Sequence, residues 1–169
     1  LDNHPEAIAV AVHNYLGSGP YHDHAIGLEY IGSSWYLRNE DFAVDMQPGR
    51  NFNVVIAPAS SENARRVFTP ASANDIPLLH PLLDDNACAA PIVGRVNQTG
   101  SPPVFDTLAF SADYRAGAAG APGRWFITAE TDGAAASFPA GAAFNVIIDG
   151  AQANRCRADD VLFFDGFEP

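Results

Sequence analysis

The 169 residues predict an all-β fold, built as two tandem, similar units of β-sandwich or jelly-roll type. One motif occurs twice: Trp35-Tyr36-Leu37, then Pro48 and Phe52-Asn53-Val54-Val55-Ile56, returns as Trp125-Phe126-Ile127, then Pro139 and Phe144-Asn145-Val146-Ile147-Ile148. Self-similarity of this kind marks a duplicated structural unit. Short runs rich in Val, Ile, Phe, Tyr and Trp alternate with Gly, Pro, Asn and Asp, which is how strands and turns read. No stretch carries a long, capped helical period.

In chain order, strands are expected at residues 8–13, 25–30, 35–39 and 51–56 in the first copy, and at 92–97, 107–111, 124–129 and 143–148 in the second. Turns fall at Gly17-Ser18-Gly19-Pro20, Gly32-Ser33-Ser34, Pro48-Gly49, Asp132-Gly133 and Asp149-Gly150, because Gly reaches positive φ without a Cβ penalty and Pro presets φ. The Ala/Gly stretch 116–123 interrupts the second copy and belongs in a loop. Residues 1–58 then form the first repeat, 59–83 a connection with a strand that enters the second repeat, 84–150 the second repeat, and 151–169 a tail. Trp35, Phe52, Val54 and Ile56, matched by Trp125, Phe144, Val146 and Ile148, are expected to form the core of each repeat, since large apolar side chains are mostly buried.

Twenty acidic residues stand against nine basic ones, all Arg, for a formal charge of -11. Affinity for phosphate backbones rests on clustered Lys and Arg, so a nucleic-acid partner is not expected. The apolar runs fall far short of the ~18–20 residues that cross a bilayer, so neither is membrane insertion. The sequence begins at Leu1 rather than Met, which fits a processed, exported product. In that setting Cys88 and Cys156, at the opening and just past the close of the second copy, are expected to form a disulfide worth about 4 kcal/mol in the chain-entropy model.

The run Tyr21-His22-Asp23-His24-Ala25-Ile26-Gly27-Leu28-Glu29-Tyr30, with Trp35, Asn39, Met46, Pro48 and Phe52-Asn53-Val54, resembles an uncharacterised domain repeated in exported bacterial proteins. Phe68-Thr69-Pro70-Ala71-Ser72-Ala73-Asn74 and His80-Pro81-Leu82-Leu83 resemble the lead-in to a unit of that family. The second copy departs from the pattern, with Phe105-Asp106-Thr107 where the family has its His. The resemblance implies a secreted β module and no reaction. Leu162-Phe163-Phe164-Asp165-Gly166-Phe167-Glu168 is similar to a short terminal signature of exported proteins from Gram-negative bacteria, which again implies a secreted, extracellular or cell-surface location.

The copies are unequal. Residues 66–73 read as a strand that completes the second unit, and the first unit shows no counterpart. An uncompleted sheet has an open edge, a template for pairing with another chain. Val161, Leu162, Phe163, Phe164 and Phe167 would be a liability in water and are the candidate docking strand. Docked in the same molecule the tail gives a monomer; docked in the next it links subunits head to tail, and a contact that does not close generates a filament. The expected function is therefore that of an extracellular structural protein, a self-assembling fibril subunit whose partner is itself. The alternative is a secreted monomeric module that binds glycans or mediates adhesion, with Tyr15, Tyr21, Tyr30 and Tyr36 as its aromatics.

No enzyme is expected, and neither catalytic nor cofactor-binding residues are assigned. His22-Asp23-His24, with His13 near, is the best metal candidate, but closed sites need four ligands and no metal site is assigned. Asp84-Asp85-Asn86 and Arg157-Ala158-Asp159-Asp160 lack calcium-loop spacing. Glu40-Asp41 and Glu130/Asp132 follow the tryptophan strands at matched places, which suits a duplicated turn feature better than the asymmetric carboxylate pair of a glycosidase. Gly-x-Ser-x-Gly, His-Glu-x-x-His and phosphate-loop patterns are missing. Asn97-Gln98-Thr99 matches the glycosylation acceptor pattern, a weak signal. Asn53 and Asn145 are expected to hydrogen-bond neighbouring backbone.

Overall fold

The structure is a computed structural model and describes residues 3–14, 22, 24–58, 61–69, 71–97, 104–130 and 136–153. It is all-β. The described residues form ten strands, β1 (Ile8–His13), β2 (Ile26–Ile31), β3 (Ser34–Asn39), β4 (Phe52–Ala57), β5 (Ala64–Phe68), β6 (Asp75–Leu78), β7 (Ile92–Asn97), β8 (Ala109–Arg115), β9 (Arg124–Glu130) and β10 (Ala143–Ile147), and one short helix, α1 (Gly150–Ala153). Three sheets result, with orders β1-β4, β3-β2-β7-β10-β5 and β6-β9-β8.

Each copy folds locally in the same way. In the first, β2 and β3 form an antiparallel hairpin that sets Tyr30 opposite Trp35; in the second, β8 and β9 set Tyr114 opposite Trp125. The ring pairs lie 5.5 and 5.9 Å apart. Trp35 Nε1 donates to the His4 carbonyl at 3.0 Å and Trp125 Nε1 to the Asn86 carbonyl at 2.8 Å. The tight β2–β3 turn places both Gly32 (φ 56°) and Ser33 (φ 85°) at positive φ, as a type I′ hairpin turn requires. Likewise β1 pairs antiparallel with β4, and β7 with β10.

The copies are joined rather than stacked as two closed sandwiches. β2 runs parallel to β7, with Gly27, Leu28 and Glu29 opposite Arg95, Val96 and Asn97, so one five-stranded sheet takes strands from both. That sheet packs around β1, which touches β2, β5, β7 and β10. A side chain spans its two edges: the Arg66 guanidinium of β5 lies 5.8 Å from the Trp35 ring of β3. Phe144 and Val146 of β10 point into the main core with Ile76, Leu78, Ile127 and Phe138, while Ile147 faces a smaller core of Ile8, Val10 and Ala64. β10 is therefore buried on both faces.

Two strands outside the duplicated motif complete the second copy. β5 pairs with the outer edge of β10, and β6 with that of β9. β5 overlaps the strand expected at residues 66–73 but starts earlier, at Ala64. β6 carries Pro77, a residue that demotes a sequence run, yet the strand lies at a sheet edge, where a missing N–H is tolerated. Residues 149–150, expected as a turn, lead into α1.

Candidate assembly edge

β4 and β10 carry nearly the same sequence and meet opposite environments. Phe144, Val146 and Ile148 are 0%, 0% and 3% exposed, whereas Val54 and Ile56 stand 48% and 49% exposed and Phe52 is only half-buried. Val54 and Ile56, expected in the repeat core, are thus surface residues in this structure. The physical reason is the missing layer: β10 lies between β7 and β5 and beneath β6 and β9, whereas among the described residues β4 has β1 as its one sheet partner. Val55, at 38% exposed, opens the other face of the strand as well. A strand with one free edge and apolar side chains on both faces is a pairing template.

The repeated motif also places its asparagines at matched positions. Asn145 donates from Nδ2 to the Ala9 carbonyl at 2.8 Å and accepts on Oδ1 from Arg66 Nε at 2.9 Å, tying β10 to β1 and β5. Asn53, at the matched place in β4, accepts from Asn14 Nδ2 at 2.8 Å. Trp35 and Trp125 are half-buried at matched places.

Val161, Leu162, Phe163, Phe164 and Phe167, the expected docking residues, lie outside the described residues, as do Tyr15, Tyr21, Asp23 and Cys156. Cys88 is a free, half-buried thiol, so the expected disulfide with Cys156 is not formed in this structure. Compartment and an even cysteine count suggested that bond, and neither brings two Cα atoms within the ~7 Å that it needs.

A histidine-lined cleft of about 570 Å³ lies where β1, β7 and the approaches to β2 and β8 meet. His13 stacks on His22 at 5.0 Å, and His22 meets His24 edge-on at 5.7 Å. Burial, then the neighbouring His22 and Arg50, hold the His13 imidazole below its ordinary pKa. No group of three or more His, Cys, Asp or Glu among the described residues is placed to hold a metal ion.

One cluster was not assembled by sequence reasoning. Glu40, buried at 3% exposure just past β3, accepts from the Asp106 backbone N–H at 3.1 Å and from Asn97 Nδ2 at 3.4 Å, while Arg95 reaches Asp106 at 3.5 Å and donates to the Leu108 carbonyl. Glu130, its match in the second copy, is exposed. Glu40 is therefore no solvated turn residue but a buried tie between the copies. The raw signal was present, a Glu after one tryptophan strand and an Arg in a β7 run otherwise apolar, but nothing in it paired the two.

Residues 43–148, more than half of the chain and including β4 through β10, match the family model described as Domain of unknown function (DUF7452). The chain belongs to the DUF7452 family. No curated protein and no solved structure matches it. The DUF7452 segment takes in the open strand β4 together with the second copy and its two completing strands. No helix among the described residues is long and apolar enough to cross a membrane.

Proposed function

We propose that this protein is an extracellular structural subunit of a self-assembling filament, in which neighbouring subunits are linked by strand exchange. The observation that supports this most is β4: its twin β10 needs β5 at its side and β6 above it to bury the same side chains, and β4 has neither among the described residues. Burying Val54, Val55 and Ile56 is worth ~1.5–3 kcal/mol per fully buried side chain, before the ordering of a donor strand is subtracted. The two copies are read as kindred sandwich halves, of which the second is complete and the first waits for a strand. The docking strand is Val161, Leu162, Phe163 and Phe164, with Phe167 behind it. Export to the cell surface or medium is supported by the likeness of that tail to the terminal signature of exported proteins, and a homopolymer needs no other partner.

The test is removal of residues 154–169, read by negative-stain microscopy and size-exclusion chromatography. Full-length protein is expected to form filaments at high concentration and the truncated protein to elute as a monomer. A full-length protein that stays monomeric, or truncated protein that forms the same filaments, overturns the strand-exchange reading.

A further inference from the structure

Residues 154–169 repeat, after the second copy, the opening of the segment that follows the first. The Asn and the second Arg of Asn63-Ala64-Arg65-Arg66 return in Asn154-Arg155-Cys156-Arg157. Their place after the motif agrees: Asn63 lies 11 residues beyond Phe52, and Asn154 lies 10 beyond Phe144. In the first case the structure shows what such a segment does. Ala64–Phe68, leaving the first copy, forms β5 on the outer edge of β10 in the second.

We propose that the outer edge of β4 is the acceptor for residues 155–159 of a second molecule, in the register that β5 takes on β10. This rests on the filament reading and assigns its donor, edge and register. β5 places Arg65 opposite Val146 and Arg66 opposite Asn145 in an antiparallel pair. Transferred to β4, Cys156 comes opposite Val54 and Arg157 opposite Asn53. The chemistry of the second pair is already present in the chain, where Arg66 Nε donates to Asn145 Oδ1 at 2.9 Å. The strand donor thus begins before the apolar run, and its arginine selects the register.

The native Cys156 makes this testable, because directly opposed residues on neighbouring strands have Cα separations of ~4.5–5.5 Å, within disulfide range. In a Cys88→Ser background, Val54→Cys is oxidised mildly and resolved on non-reducing gels beside the Cys88→Ser control. A ladder of covalent multimers that needs Val54→Cys is the expected result. Filaments without a ladder overturn this register and leave the filament reading standing. A single intramolecular bond in a monomer shows that the tail docks on its own β4, which overturns the second molecule as donor and the filament reading with it. Monomer with neither bond nor filament overturns both. Arg157→Glu, outside the described fold, is read in parallel by microscopy: filament yield is expected to fall tenfold or more, and an unchanged yield counts against the register.

Discussion

Phe144→Ala will destabilise the protein by about 3–5 kcal/mol, and Phe52→Ala, the same substitution in the same motif, by far less. Phe144 is fully buried, with Phe138 and Phe110 edge-on at 5.0 and 5.2 Å. Arg95 lies over the same ring at 6.0 Å. Removing the ring takes away its transfer free energy and leaves a cavity that β5, β7 and the opposing sheet cannot close. Phe52 is half-buried, with His13 and His22 edge-on at 5.3 and 6.1 Å, so water fills part of what is removed. The measurement is the denaturant midpoint of dilute monomer, monitored by tryptophan fluorescence. Equal losses at the two positions would mean that β4 is already covered in the monomer, and the acceptor edge would not exist. The comparison gains force under assembly: in filaments the cost of Phe52→Ala is expected to rise toward that of Phe144→Ala.

The duplicated motif made much of this fold legible. Strands β1 and β7 fall at the expected residues, because short runs rich in Val and Ile between turn residues are local signals. What local sequence does not encode is which strands share a sheet. The parallel β2–β7 pairing joins strands more than sixty residues apart in sequence, and no turn between them fixes it. Hence the copies merge, and Val54 and Val146 receive opposite burial from equal sequence. β6 has little sequence signal, because Pro77 argues against a strand unless its edge position is known. The acceptor edge was legible in part: the sequence shows a strand at residues 66–73 for the second copy and none for the first, which is the asymmetry that the sheet orders of β4 and β10 display.

Arg95→Ala is the second substitution with a large expected cost, about 3–5 kcal/mol, because it leaves the carboxylate of Asp106 buried without its cation and removes the positive charge beside Glu40. Arg95 is 6% exposed and also packs over the Phe110 ring at 4.8 Å, so packing is lost with the charge. Arg95→Met, which restores most of the packing, is expected to recover only a minor part of the stability. Gly27 shows how tightly this joint is built, since a Cβ there would overlap Glu40 Oε1. The carboxyl of Glu40 titrates above its ordinary 4.5, chiefly because burial disfavours its charge; hydrogen bonds from the Asp106 N–H and Asn97 and the charge of Arg95 oppose that only in part. The folded state therefore holds this proton at a pH where the unfolded chain releases it. The stability that Glu40 contributes is fully present below pH 4.5 and declines as pH rises through the raised folded value. Glu40→Gln keeps the acceptor for the Asp106 N–H and removes the titration, so denaturant midpoints measured upward from pH 4 should fall less steeply than in the parent. A parent and variant with parallel pH profiles would mean that the Asp106 N–H, Asn97 and Arg95 fully offset the burial of Glu40, and that its carboxyl is not raised in the folded state.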